Sequence, residues 1–405
     1  MNRNKIVITS LVILFSLFIT VSIFILTNNS FRVLVSEPEK KKTYGEKAGT
    51  ARKKHTENRE YITNFARLTA EFYDIGIHEL WNMTGPFELL NENEFLLIAK
   101  CGEVFLLKLT GKNKLLESKK IGHVKNVACV DNFKWGIVKD SQMIGNYLLI
   151  SYLEKNDDTY GLVLDKIPRH EDSFDFNNPS RIFESKPKVP LKDGIHNHTY
   201  GRITKKNENE IFLVIADFGA QQYMDDNDAT LGKLFLVNIH TGTSSLIAKG
   251  FRSPGGLYYD QNNDLLWESD HGPVGGDEVN LVKEGNNYGW PHVSYGGSKG
   301  EVSLFEFHHE GYAKPEYVFV PSVAPSNIIQ YPIDGAITQW QGDLILGTLR
   351  ERTLFRLKVE DQTIIYAEPI AKIGSRIRDI KIDHAGKIYL KTDNSELIII
   401  RIESL

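Results

Sequence analysis

From residue 85 to residue 405 the chain shows almost no helical periodicity. Instead, short β-rich runs follow one another, each closed by Gly, Asn, Asp or Lys. EFLLIAK and EVFLLKL come first, then NYLLISYL, YGLVLDKI, EIFLVIADFG and KLFLVNIHTG. GGLYYDQNNDLLWESD, GDLILGTLRERTLFRLKV and IRDIKIDHAGKIYLKTDNSELIIIRI complete the series. Short apolar runs between turn residues are the strands of an all-β protein. The stretch is too long for one sandwich, and at about four strands per blade it fits a β-propeller of about six blades. An Asp–turn–strand–Asp pattern recurs at 260–270 and 383–393, as a repeated unit would. The fold class predicted is therefore all-β, a six-bladed β-propeller over residues 81–405. Loops from every blade then meet at an axial mouth, where a ligand site is expected.

Two further segments are predicted ahead of the propeller. Ile6 to Leu26 is a run of 21 residues without a charge. As a helix it would span roughly 31 Å, the thickness of a bilayer's hydrocarbon core. Residues 1–27 are read as an N-terminal transmembrane helix, with a signal peptide as the alternative. Residues 28–80 read as a polar linker (EPEKKK, ARKKHTENRE) ending in a short helical lead-in, YITNFARLTAEFYDIGIHEL. Residues 1–60 carry 11 basic and five acidic side chains, against 37 and 47 in the rest. A main body with that acidic excess is a poor match for phosphate backbones, so no nucleic-acid partner is expected. Cys101 and Cys129 leave two readings open, one disulfide or two buried thiols. Because Cys so often serves as a small buried hydrophobe, thiols are favoured.

The densest segment for chemistry is 251–296, FRSPGGLYYDQNNDLLWESDHGPVGGDEVNLVKEGNNYGWPHVSYG. Its Gly-Pro loops suit special backbone angles and close approach of carbonyls to a ligand. HGPVGGDE offers both carbonyl and carboxylate oxygens to a hard cation such as Ca²⁺. Structural turns between blades would have the same composition.

FRSPGGL, LLWESDHGPVGGDEVNLV, GNNYGWPHVSYG, SVAPSNIIQY, GDLILGTLRERTLFRL and SRIRDI, with NHTYGRI and IFLVIADFG before them, stand in one order over roughly residues 193–393. In these the chain resembles the pyrroloquinoline quinone (PQQ)-dependent sugar dehydrogenases, the glucose/sorbosone dehydrogenase family of six-bladed propellers. The resemblance implies oxidation of an aldose at C1 to its lactone, with PQQ and Ca²⁺ as cofactors. It makes His198 the general base for the C1 hydroxyl, a role that suits imidazole. It puts Arg252 on the quinone carbonyls, with Ser253 beside it at the cofactor. It assigns the backbone carbonyls of Gly272 and Pro273 to Ca²⁺. Arg350, Arg376 and Arg378 fall where cations grip the cofactor's carboxylates, which suits the guanidinium fork. The implied partners are a small sugar, a quinone or redox-protein electron acceptor, and the membrane through the N-terminal helix. The implied location is the periplasmic side of the inner membrane.

The chain departs from the family pattern in four places. Ser253 and Gly255 replace polar Asn and Gln, Val320 stands where some members have Trp, and DNFKWGIVKD supplies no glutamine. These departures support a rival reading, a catalytically inactive propeller that binds carbohydrate or protein. A Ca²⁺-dependent lactonase is the weaker third.

Overall fold

A computed structural model of the chain describes residues 58–75, 85–110, 116–129, 137–171, 173–191, 195, 198–297 and 309–405. The apolar stretch Ile6–Leu26, expected to form a membrane helix, lies outside them. Among the described residues no helix is long and apolar enough to cross a membrane. Contacts divide the chain into residues 1–54 and His55–Leu405, and the second unit is the propeller.

The first two strands, β1 (Arg59–Ile62) and β2 (Ala66–Asp74), find their partners only at the chain's end. Blade one is β3 (Phe87–Asn91), β4 (Glu94–Ile98), β5 (Glu103–Leu109) and β6 (Leu116–His123). Blade two is β7 (Val138–Ile144), β8 (Tyr147–Asn156) and β9 (Thr159–His170). Three short strands line the outer edge of β9: β10 (Ser173–Phe174), β11 (Ser180–Glu184) and β12 (Val189–Pro190). Blade three is β13 (Gly201–Lys205), β14 (Glu210–Ile215), β15 (Lys233–Asn238) and β16 (Ser244–Lys249). Blade four is β17 (Pro254–Asp260), β18 (Leu265–Asp270), β19 (Asp277–Val282) and β20 (Tyr317–Phe319). Blade five is β21 (Pro325–Gln330), β22 (Leu344–Thr348), β23 (Thr353–Glu360) and β24 (Thr363–Lys372). Blade six joins β25 (Ile377–Ile382), β26 (Ile388–Thr392) and β27 (Glu396–Ser404) to β2 and β1.

The six innermost strands β3, β7, β13, β17, β21 and β25 touch in that order and close back on β3. The fold is a six-bladed β-propeller, as the strand spacing predicts. Alternation along the strands sends apolar side chains to both faces of each blade, and six apolar clusters fill the six gaps between neighbours. Each aliphatic side chain buried there stabilises the ring by about 1.5–3 kcal/mol.

The helical lead-in over 61–80 is corrected. Its described part forms β1 and β2, with Ala66, Leu68, Ala70 and Phe72 buried and Arg67, Thr69 and Glu71 turned outward. That is a period of two, and pairing with β27 from Ala66↔Ser404 to Asp74↔Glu396 enforces it. The propeller therefore begins at Arg59 and not at 81. The cysteine expectation is corrected too, since Cys101 and Cys129 form a disulfide with their Cα atoms 5.2 Å apart.

Antiparallel order fixes which loops share a face. The loops entering the innermost strands, and the loops between second and third strands, all lie at one end of the ring. This entry face carries His198, Arg252, Gly272, Pro273, Arg350 and Arg376, and also the disulfide. At the centre of the axis Arg202 acts as a hub. Its Nε donates to Gly255 O (2.6 Å) and its Nη2 to Ser326 O and Arg378 O. Its Nη1 lies 3.4 Å from Asp140 and 3.9 Å from Asp379. One side chain thus ties five blades together.

Candidate active site

The loop entering β13 presents His198 and the loop entering β17 presents Arg252, and the two side chains meet. Arg252 Nη2 lies 2.8 Å from His198 Nε2, while the other ring nitrogen lies 3.4 Å from Asp217 Oδ1. Asp217 is fully buried just beyond β14 and accepts from Trp290 Nε1 (2.8 Å) and the Gly219 amide (2.8 Å). The Trp290 ring lies 5.2 Å from the Arg252 guanidinium, a cation–π distance. The base candidate is thus held from behind by a carboxylate that is itself fixed by two donors.

Arg252 has a second anchorage. The amides of Arg252 and Ser253 both donate to Asp270 (2.6 Å each). Burial raises the Asp270 carboxyl to about 6, although these amides and the Arg252 charge pull the other way. Asp270 and Asp393 end the repeated Asp–turn–strand–Asp units at 260–270 and 383–393, and both hold entry-face residues. Ser253 is only 1 % exposed, so in this arrangement its hydroxyl does not line the opening. Gly255 has a structural cause, because a Cβ there would stand 2.5 Å from Pro325 O.

The HGPVGGDE loop connects β18 to β19. Its Asp277 carboxylate is consumed internally, accepting from His271 Nδ1, the Gly272 amide, Ser322 and the amides of Val323 and Ala324. Burial works against ionisation, yet His271, Ser322 and the amides keep its pKa below the ordinary value. Glu278 is also turned inward, and burial drives its pKa far upward. The carboxylates of this loop therefore shape it, and the oxygens left to a cation are carbonyls. Arg252 Nη1 already sits on two of them, His271 O (2.5 Å) and Gly272 O (3.1 Å), so this cradle accepts positive charge. A Cβ on Gly272 would lie 2.3 Å from Gly275 O and 2.5 Å from Gly276 O, a second sign of converging oxygens. Among the described residues no group of three or more His, Cys, Asp or Glu is arranged to hold a metal.

Arg376 and Arg378 meet at Asp393. Arg378 is bidentate (2.5 and 2.8 Å) and Arg376 Nε lies 3.2 Å away. Tyr200, two residues after His198, has its ring 6.0 Å from the Arg202 guanidinium. Arg350 stands apart on the loop between β22 and β23, with its amide on Val323 O (3.1 Å) and its side chain exposed. Val320 is 72 % exposed beside the Gly-Pro loop. Sequence reasoning missed Asp217, Trp290 and Asp270 as site residues. Trp290 lies 73 positions from its partner Asp217, whereas Asp217 lies 19 from His198 and Asp270 lies 18 and 17 from Arg252 and Ser253. The repeated Asp pattern at 260–270 is the local signal that marks Asp270.

Residues 78–401 match the sequence pattern of the family described as Glucose / Sorbosone dehydrogenase. The chain belongs to this family of oxidoreductases. An uncharacterised Synechocystis protein is 35 % identical over 160 residues, a match covering 38 % of each chain. Aldose sugar dehydrogenase YliI of Escherichia coli is 26 % identical over 277 residues, 62 % of this chain and 72 % of that one. Quinoprotein glucose dehydrogenase B of Acinetobacter calcoaceticus is 23 % identical over 49 % of this chain and 59 % of that enzyme. Among solved structures, the apo aldose sugar dehydrogenase of E. coli superposes with a TM-score of 0.68 over 83 % of this chain and 100 % of that one. The PQQ-bound aldose sugar dehydrogenase of Streptomyces coelicolor gives 0.63 over 82 % and 98 %. At 21 % and 17 % identity these two likenesses speak to the fold of this glucose/sorbosone dehydrogenase family member.

Proposed function

We propose that this protein is a PQQ- and Ca²⁺-dependent aldose dehydrogenase that oxidises a sugar at C1 to the lactone. The observation that carries the reading is the His198–Asp217–Arg252 constellation at the mouth of a family propeller. His198 Nε2 takes the proton of the C1 hydroxyl, and Asp217 behind Nδ1 orients the ring and favours the imidazolium that results. Bound PQQ supplies the acceptor for the hydride that leaves C1, and Ca²⁺ supplies Lewis-acid polarisation of its reacting carbonyl. The residues present fit both groups. Arg376 and Arg378 offer two guanidiniums to carboxylates, with Arg350 at the exposed rim. The carbonyl cradle at Gly272, with Pro273 next to it, suits a hard cation, and Arg252 occupies part of it meanwhile. Arg252 also engages His198 Nε2, so for His198 to serve as the base this guanidinium would have to give up that contact, and it would then be available to the cofactor. Ser253 contributes by fixing the backbone of Arg252.

The reading places the propeller outside the cytoplasm, tethered through residues 1–27 and a polar segment. The Cys101–Cys129 bridge supports that compartment, since such bonds persist in oxidising surroundings. The electron acceptor is then a quinone or redox protein on that side.

The test uses the full chain, stripped of metal and given Ca²⁺ and PQQ, with a panel of aldoses. Bound PQQ should bleach on adding a sugar that is a substrate. His198→Ala should lower turnover by roughly 10²- to 10⁴-fold while PQQ binding persists. A chain that binds no PQQ, or a His198→Ala variant that turns over normally, would overturn the proposal.

A further inference from the structure

Four innermost strands carry a register shift near the entry face, and two of these match in detail. In β7 the shift falls between Val138 and Asp140, and in β25 between Ile377 and Asp379. The extra residue is Lys139 in the first and Arg378 in the second. The aspartates that follow behave alike. Asp140 accepts from the Ser141 amide and from the Ile203 amide of the next blade's innermost strand. Asp379 accepts from the Ile380 amide and from the Phe87 amide of its own next blade. Val138-Lys139-Asp140 and Ile377-Arg378-Asp379 are one device used twice around the ring, a bulge that re-aims a basic side chain at the mouth.

Two more observations place Lys139 in the site. Its Nζ donates to Thr199 Oγ1 (2.9 Å), and Thr199 is the buried neighbour of His198. Arg378, though paired with Asp393, also lies close to several like charges. After burial, Arg378 is the group that most depresses the basicity of both Lys139 and Arg376, and it bears on Lys391 as well. Cations grouped in this way, in excess of the one carboxylate of Asp393 that bridges two of them, are relieved by a polyanion that binds across them.

We propose that Lys139 is a further anion-binding residue of this site, the blade-two counterpart of Arg378, acting with Arg376 and Arg378 on a ligand with several carboxylates. The inference rests on the cofactor reading above and extends it to a residue on the side of the mouth nearer His198. Lys139 bears on binding of the ligand and not on the proton transfer at His198.

The experiment titrates PQQ into the Ca²⁺-loaded full chain, with binding followed by quenching of tryptophan fluorescence at several salt concentrations. Lys139→Gln keeps a polar side chain of similar reach and removes the charge, whereas Lys139→Arg keeps the charge. The first should weaken binding by roughly 10- to 100-fold, the loss of one charge-assisted contact, and flatten the fall of affinity with salt. The second should stay within about threefold of the parent. Parent-like binding by Lys139→Gln would overturn the inference and leave the cofactor reading intact. Equal losses in both variants would also overturn it, by showing a structural role through Thr199. A parent chain that binds no PQQ would sink the cofactor reading and this inference together.

Discussion

Replacing the axial hub, Arg202→Met, should cost the propeller about 6–8 kcal/mol near neutral pH. Arg202 is 4 % exposed and faces two buried carboxylates, Asp140 and Asp379, and the carbonyls of Gly255, Ser326 and Arg378. Methionine fills much of the volume but supplies no donor. Removing one partner of a buried ion pair costs about 3–5 kcal/mol, because the other charge stays buried. Carbonyls left without a donor add about 1 kcal/mol each at the low end of the usual range. Asp140 already has its pKa raised by burial, with Arg202 as the main opposing influence, so the variant pushes it higher. A carboxyl whose folded pKa is raised contributes stability below its unfolded value and loses it as pH rises through the folded one. The penalty should therefore be smaller at about pH 4.5 than at about pH 8. Reversible urea unfolding followed by tryptophan fluorescence measures both. A loss below about 1.5 kcal/mol, or one that is the same at the two pH values, would refute the account of Arg202 as a charge-balancing hub.

The Cys101–Cys129 bridge closes a loop of 28 residues, so reduction or Cys101→Ser should cost about 3–4 kcal/mol in the chain-entropy picture. Unfolding curves with and without reductant decide it, and coincident curves would count against the bridge. Asp270→Asn should cost more stability at about pH 4.5 than at about pH 8. The Asp270 carboxyl, raised to about 6, contributes stability below its unfolded pKa that is lost as pH rises through about 6. That contribution is on the order of 3 kcal/mol, and a pH-independent cost would exclude it. Asp217→Asn should lower kcat by roughly 10- to 100-fold, since Asp217 backs the His198 ring, with a smaller loss of PQQ affinity through Trp290 and Arg252. An altered affinity with normal kcat would place Asp217 elsewhere in the cycle.

The parts of this molecule legible in its sequence share one property, locality. Blades announce themselves because each strand carries its own alternation and each turn its own Gly, Asn or Asp, so EIFLVIADFG reads correctly without its neighbours. The Gly-Pro loop and the SRIRDI arginines are legible for the same reason. Ala66, Leu68, Ala70 and Phe72 alternate equally well, but two alanines weaken the signal, and the strand that pairs with them is over 320 positions away. Asp277 illustrates the opposite failure. Its place in HGPVGGDE suggests a cation ligand, and only the fold shows five donors already on its oxygens. The bridge at Cys101 was undecidable because spacing says nothing of whether two loops share a face.

Blade six sets a schedule for the ribosome. Asp74 ends β2, and Glu396, its partner, is made 322 residues later. At ordinary synthesis rates that interval is roughly 15 to 65 s. Throughout it, the apolar side of β2 has no strand to cover it and no way to complete the circle. The other five blades can pair within themselves as they emerge, but the ring stays an open arc until the last strand arrives. A nascent chain stalled short of β27 would therefore carry five assembled blades and an uncovered edge, a natural mark for chaperones and proteases.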